Sequence, residues 1–279
     1  MNRNILKDNN ILQKFDNGVE LIQFKNLVKY EEKIVHCFTT RRGGVSSGEC
    51  ESLNLGFNRN DIKENVIRNF ELIADCLNIK ISNYVFSNQI HDNRIKIVNK
   101  SDRGKGILKH SDIIGYDGLI TNEKNIALTT FYADCIPVYM YDSTKNVIAM
   151  LHSGWRSTYK EISIVALDKM KEIFDVDFKD VNVVLGPSIG KCCFEIDKDV
   201  LDLFIKKFDI SDDLYSKNDN NKYFLDLQRI IIDYLIKKGI NENKISNSNI
   251  CTKCNNDYFF SHRGDKGKTG SLCGIIQLK

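Results

Sequence analysis

Residues 133–158 read ADCIPVYMYDSTKNVIAMLHSGWRST. Two apolar runs stand in it, Ile136-Pro137-Val138-Tyr139-Met140 and Val147-Ile148-Ala149-Met150-Leu151. Their length and their β-branched and aromatic content suit strands. Other segments share that character: IVHCF, YVFSNQIH, RIKIV, DGLIT, IALTTFY and VNVVLG. Helical spacing is rarer. Asp61-Ile62-Lys63-Glu64 has a capping-box pattern ahead of Val66, Phe70, Ile73 and Leu77. Thr158-x-x-Glu161 repeats it ahead of Ile162, Ala166, Met170 and Ile173. A third helix is expected through Val200, Leu203, Phe204 and Phe208, and a fourth through Leu227, Ile230, Ile231, Tyr234 and Leu235, stopped by Gly239. Strands outnumber helices and do not alternate with them. The pattern predicts an α+β sandwich with helices outside, not a doubly wound parallel sheet.

The 279 residues suffice to bury a real core. Pro137 and Pro187 are the only prolines and no Pro/Ser-rich linker interrupts the chain, so a single domain is expected. SKNDNNK at 216–222 reads as a surface loop. A formal net charge of +3 is near balance and argues against a dedicated nucleic-acid binder. No apolar run is long enough to span a bilayer, and MNRNILKDNNILQKFDNG has no continuous apolar h-region. Nine scattered cysteines in a chain of this size fit reduced thiols in a cytoplasm.

Cys135 precedes the first apolar run and His152 closes the second; His91 ends YVFSNQIH. With Pro137 so near, Cys135 is expected in a turn between strands. Three strand-end donors can converge at one sheet edge, and two imidazoles with one thiolate make a zinc set that leaves a fourth position open. Sequence spacing alone leaves other readings standing: satisfied core groups, or a nucleophile, Cys135, with His152 as its base. After His152 the chain runs through Ser153-Gly154-Trp155-Arg156-Ser157 into the helix expected at Thr158. Its unpaired N–H groups and the fork of Arg156 would suit an anion.

Other motifs are weaker. Cys251-Thr252-Lys253-Cys254 is half a zinc ribbon with no second CxxC; Cys192 and Cys193 could lend a ligand, but adjacent cysteines make awkward partners and structural burial is expected of them. Gly264-Asp265-Lys266-Gly267-Lys268-Thr269 is not a P-loop: His262 stands where the first glycine belongs and no helix follows. A basic loop closing over an anion and a solvated charge run both remain open there.

Taken in order, FTTRRGGVS (38–46), NLGF (54–57), SNQIH (87–91), DGLIT (117–121), ADCIPV (133–138), LHSGWR (151–156), LGPSIGKCCFE (185–195) and FFSHRGD with the later TG (259–270) resemble one family. It is that of the YfiH-type purine nucleoside phosphorylases, also called laccase-like or multicopper polyphenol oxidoreductases. The resemblance covers nearly all of 1–279 after about residue 30, leaving 1–30 as an amino-terminal extension. It implies an α-β-β-α sandwich and a metal at His91, Cys135 and His152, zinc with copper as the other candidate. It implies phosphorolysis of adenosine, inosine, guanosine and methylthioadenosine, and deamination of adenosine. Purine nucleosides and phosphate would be its partners, with no nucleic acid or membrane, and the chain a monomer or weak homo-oligomer. Family motifs also place Arg41, Gln89, Asp134, Arg156 and Glu195 near the site. Arg263 in SHRGD joins the expected phosphate contacts, and Asp134 and Glu195 join Cys135 and His152 as expected catalytic groups. The chain departs from the pattern at Ser157, at Gly264 and in TGSLCG, which lacks a following arginine.

A true multicopper oxidase needs a further histidine-rich cluster, and five histidines are too few for one. Two alternatives remain beside the phosphorylase. One is a metal-free cysteine hydrolase or deamidase, for which His91 would be dispensable. The other is a peptidoglycan-precursor editing protein on the same fold.

Overall fold

The computed structural model describes residues 10–16 and 18–279. The first nine residues, which bear on the reading of the amino terminus, lie outside the described residues. Two six-stranded sheets carry the fold. In the first, β1 (Ile11–Asp16), β2 (Val19–Phe24), β3 (Ile34–Thr39), β15 (Leu272–Leu278), β7 (Ala127–Tyr132) and β4 (Tyr84–Phe86) lie side by side. In the second the order is β14 (Ile245–Asn247), β10 (Val181–Leu185), β8 (Ile136–Asp142), β9 (Val147–Ser153), β6 (Gly118–Thr121) and β5 (Ile95–Ile97). Each sheet is antiparallel in its middle and ends in a parallel pair, β7 with β4 in one, β10 with β14 and β6 with β5 in the other. A small sheet of β11 (Glu195–Ile196), β13 (Tyr223–Leu225) and β12 (Tyr215–Lys217) stands apart.

The helices cover the outer faces. Helix α2 (Lys63–Leu77) packs Val66, Phe70 and Ile73 against Leu21, Cys37, Tyr84 and Ile275 of the first sheet. On the far side α4 (Ile162–Phe174), α5 (Lys198–Phe208) and α6 (Leu227–Lys238) bury Ala166, Met170, Phe204, Ile231 and Leu235 against Val138, Met140, Ala149 and Val183. Two short helices, α1 (Lys25–Val28) and α3 (Trp155–Tyr159), lie on the links from β2 to β3 and from β9 to α4. Between the sheets lie Phe24, Phe38, Leu128, Leu272 and Ile276 from one and Tyr139, Tyr141, Ile148 and Met150 from the other. The layers are thus helix, sheet, sheet, helices.

This layering explains the decisive stretch. Along β8 and β9 alternate side chains enter the helix-facing core and the inter-sheet core, so neither strand has a solvent face. Both therefore read as unbroken apolar runs rather than as alternation. Truncating a methionine or leucine in such a position costs about 2–5 kcal/mol.

Some expectations shift. YVFSNQIH is a strand only through Phe86, so His91 lies in a turn well beyond its end. SKNDNNK is partly strand β12 and partly the link to β13. The α4 helix starts at Ile162, not Thr158: Glu161 is its N-cap in a left-handed conformation, and no capping box forms. Strand β15, set between β3 and β7, carries none of the segments that the sequence pattern marks as strands. Strands β1 and β2, within the segment outside the family motifs, extend the first sheet.

Candidate metal centre and its cleft

Three chain reversals meet at one edge of the sandwich. The turn from β7 to β8 carries Cys135, the end of β9 carries His152, and the segment beyond β4 carries His91. Their ligand atoms lie within 4.8 Å of one another, and Cys135 Sγ is 3.7 Å from His91 Nε2. The two imidazoles meet edge to face with centroids 4.8 Å apart.

Asp117, which opens DGLIT and has no expected role from the sequence, organises this edge. It is fully buried just before β6, and the Gly118–Leu151 register sets it opposite His152. The backbone N–H of His152 donates to its carbonyl at 2.7 Å. Its carboxylate accepts backbone N–H bonds from Ile90, His91 and Asp92, at 2.9–3.0 Å. Its Oδ1 also lies 2.7 Å from His152 Nδ1. One carboxylate thereby shapes the turn that presents His91, whose φ is +60°, and holds the ring of His152 through Nδ1. Second partners of this kind orient metal-ligating histidines and raise their basicity. The signal available in the sequence was an acid opening a strand-like run; its three backbone bonds were not.

The donors fit a zinc-type ion. Two nitrogens and one sulfur converge, one imidazole is locked by a buried carboxylate, and no fourth protein ligand closes the set among the described residues. Without an ion, the cysteine and the histidine favour each other's charged forms. Burial resists ionisation of Cys135, but the charge and hydrogen bonds of His152 and His91 outweigh it and bring the thiol down to about 6. Burial likewise opposes charging of His152, and Cys135 with Asp117 more than reverses it, to about 9. Gly154 is required for clearance: a Cβ there would stand 2.7 Å from His91 Cδ2 and 3.1 Å from Cys135 Sγ.

The three residues sit in a cleft of about 640 Å³, within the range of small-molecule sites. Phe57, Phe131, Trp155, Ile189, Phe194 and Leu227 supply its apolar lining. Arg59, Arg156, His262 and Arg263 supply cationic or polar edges, and of these Arg59 and His262 carried no signal in the sequence.

The other expected residues divide. Arg156 is exposed at the cleft with its guanidinium 4.2 Å from the Trp155 ring, and has no salt bridge among the described residues. Arg263 also lines it, donating from Nη2 to the Glu195 carbonyl. Gln89 lines the cleft, but its amide is paired at both ends with the Phe131 backbone, at 2.8 and 2.7 Å. Asp134, at φ +91°, lines the cleft, and its carboxylate accepts from Thr252 Oγ1 and the Arg263 N–H, so it braces loops. Glu195 accepts from Asn218 Nδ2 at 2.7 Å and does not line the cleft. Nor does Arg41, which is spent on the carbonyls of Glu51 and Asn256, on Asp265 and on the Phe260 ring. The anion seat expected at Thr158 is absent too. Thr158 is buried inside α3 with its hydroxyl on Ser153, and the chain turns helical already after Gly154.

The chain matches known proteins in sequence and in fold. Residues 35–279 match the family model described as multi-copper polyphenol oxidoreductase laccase. The chain is 36% identical over 250 residues to purine nucleoside phosphorylase YlmD of Bacillus subtilis, covering 89% of this chain and 90% of that one. It superposes on the crystal structure of the Bacillus licheniformis hypothetical protein YfiH with a TM-score of 0.88 at 31% identity, covering 96% of this chain and 99% of that one. YlmD from Geobacillus stearothermophilus gives 0.89 at 29% identity, covering 97% and 99%.

Proposed function

The chain belongs to the multi-copper polyphenol oxidoreductase laccase family, and from that premise we propose that it is a purine nucleoside phosphorylase. The observation that carries the reading is the convergence of His91, Cys135 and His152 inside a cleft with apolar and aromatic walls and arginines at its edge. Relatives named purine nucleoside phosphorylase support the class. Its substrates are adenosine, inosine, guanosine and methylthioadenosine, cleaved with inorganic phosphate to the free base and ribose 1-phosphate. The same site deaminates adenosine.

His91, Cys135 and His152 would hold the ion, zinc before copper, which would supply Lewis acidity to the site. The chain's own residues do the rest. Asp117 keeps Nδ1 of His152 engaged and the turn at His91 in place. The aromatic walls take the purine, and Arg156 and Arg263 hold phosphate, with the fork geometry that suits it. Arg41 and Glu195 act as braces, since neither lines the cleft. Laccase chemistry as the main activity is set aside on residue count: beyond the site, His36 is locked in the sheet against the Phe24 N–H. His110 and His262 alone cannot build a trinuclear centre. None of the nine cysteines is in a disulfide, which suits a cytoplasmic enzyme. Among the described residues no helix is long and apolar enough to cross a membrane.

The test is adenosine incubated with and without phosphate, products separated by chromatography. Adenine and ribose 1-phosphate are expected only with phosphate, and inosine in either case. Arg156→Ala should damage phosphorolysis more than deamination. Equal loss of both makes Arg156 structural, and no conversion of any purine nucleoside removes the functional reading.

A further inference from the structure

A second thiol cluster forms where the sequence shows only half a motif. Cys251 and Cys254 lie on one turn, while Cys192 and Cys193, 62 and 61 residues before Cys254, lie on another. The fold brings the two turns together. Cys254 Sγ is 3.5 Å from Cys192 Sγ and 3.4 Å from Cys193 Sγ, and all four sulfurs lie within 4.8 Å of one another. Cys192 is exposed and Cys193 half-buried, so the reading of these two as buried core thiols is replaced.

The separations discriminate between chemistries. A disulfide needs about 2.05 Å between sulfurs. Four thiolates about 2.3 Å from a tetrahedral zinc stand about 3.8 Å apart, close to what is seen. Adjacent Cys192 and Cys193 can both reach because residues 190–194 form a tight turn, with the Cys193 and Phe194 N–H groups both donating to the Gly190 carbonyl at 2.9 Å.

We propose that Cys192, Cys193, Cys251 and Cys254 form a closed tetrathiolate site for a structural zinc-type ion, independent of the His91–Cys135–His152 set and of the function assigned to it. Four protein ligands leave no open position, so the ion does no chemistry on substrate. Its effect is on the cleft wall. The 190–193 turn lies directly between Ile189 and Phe194, both lining the cleft. Thr252, next to Cys251, donates its N–H to the Ser188 carbonyl and its hydroxyl to Asp134, whose carbonyl accepts from the Ile189 N–H. The ion therefore fastens two loops that hold Asp134, the neighbour of Cys135, and one wall of the cleft.

Full-length protein is compared with two double variants by elemental analysis and by Co²⁺ substitution. The wild type should hold two ions, His91→Ala/Cys135→Ala one and Cys192→Ser/Cys254→Ser one. Co²⁺ in His91→Ala/Cys135→Ala should give the intense near-ultraviolet sulfur-to-metal bands of four thiolates, and four thiols should become reactive only after chelation. The proposal fails if that variant binds no zinc or Co²⁺ while its four thiols react freely. It fails equally if intact mass shows them paired as disulfides. Should either variant not fold, the wild-type Co²⁺ spectrum decides: a four-thiolate signature supports the site, and its absence at saturating Co²⁺ overturns it.

Discussion

Two clusters of sulfur in this molecule differ in what surrounds them. At the strand ends a lone cysteine shares its position with two imidazoles, backed by a buried carboxylate and open to a cleft. At the 190–193 and 251–254 turns, four cysteines have one another. On the proposed reading, the first set leaves one place for substrate or water. The second, as proposed, is closed by its four thiolates, with Cys192 and Cys254 exposed. A mixed set with an open place suits catalysis, and a closed set of thiolates suits fastening. The contrast can be broken in the laboratory in several ways.

The largest effect is expected from removing a ligand of the open set. Cys135→Ala, His91→Ala and His152→Ala should each lower nucleoside turnover by on the order of 10³-fold or more, as loss of a catalytic ion does. Each should also lose the ion of the open site. Cys254→Ser should instead keep kcat within a few-fold and raise KM, because it loosens a wall. If the wild type holds no ion at the open site and His91→Ala keeps full activity while Cys135→Ala is dead, the site is a metal-free cysteine nucleophile with its base.

Next is the carboxylate behind the histidines. Asp117→Asn keeps the size but removes the charge and one of the acceptor oxygens that serve three N–H groups and His152. It should weaken metal affinity about 10–100-fold, read by competition with a chromophoric chelator. Unchanged affinity would reduce Asp117 to a turn-forming residue.

A smaller effect separates the glycines of the two clusters. Gly154 has φ −77°, which alanine adopts freely, so Gly154→Ala costs only space, 2.7 Å from His91 and 3.1 Å from Cys135. Turnover should fall about tenfold, as a sub-ångström displacement of ligands does, with the melting temperature little changed. Gly190→Ala meets Cys251 Cβ at 3.4 Å, an ordinary contact, and should stay within about twofold. Equal effects at both positions would mean that neither site is tightly shaped.

How far the sequence carries depends on where the forces are local. Strands β8 and β9 are legible because burial on both faces leaves continuous apolar runs. The starts of α2, α5 and α6 are legible within a residue or two, and Gly239 ends α6 as expected. Thr158 misleads because its hydroxyl serves Ser153, a partner five residues back, and not a helix N-terminus. The cluster of His91, Cys135 and His152 comes from the family motifs as much as from residue types, and Arg41 shows the limit of that route: its guanidinium is consumed by loop carbonyls that only the fold brings near. Asp117 and the four-cysteine cluster depend on contacts across 26 to 62 residues, which no local pattern encodes.

The smallest effect concerns two buried histidines whose surroundings are opposite. His152 faces Asp117 and Cys135, whereas His36 in β3 is buried between the sheets with no charge beside it, its Nε2 accepting from the Phe24 N–H at 2.9 Å. Burial drives His36 down to about 3, and it stays neutral in the folded chain. In the unfolded chain it takes up a proton near its ordinary value of about 6.5. A folded-state pKa below the unfolded one means that this stabilisation is full above about pH 6.5 and is lost progressively as pH falls toward about 3. Between pH 7 and pH 5 the loss from this one group is about 2 kcal/mol. Urea unfolding at both values should show it in the wild type. In His36→Gln, where the amide oxygen can accept from Phe24 without titrating, the fall over the same interval should be smaller by about that amount. Equal falls in the two proteins would mean that the buried imidazole is protonated in place, and that burial without a counter-charge does not set its state.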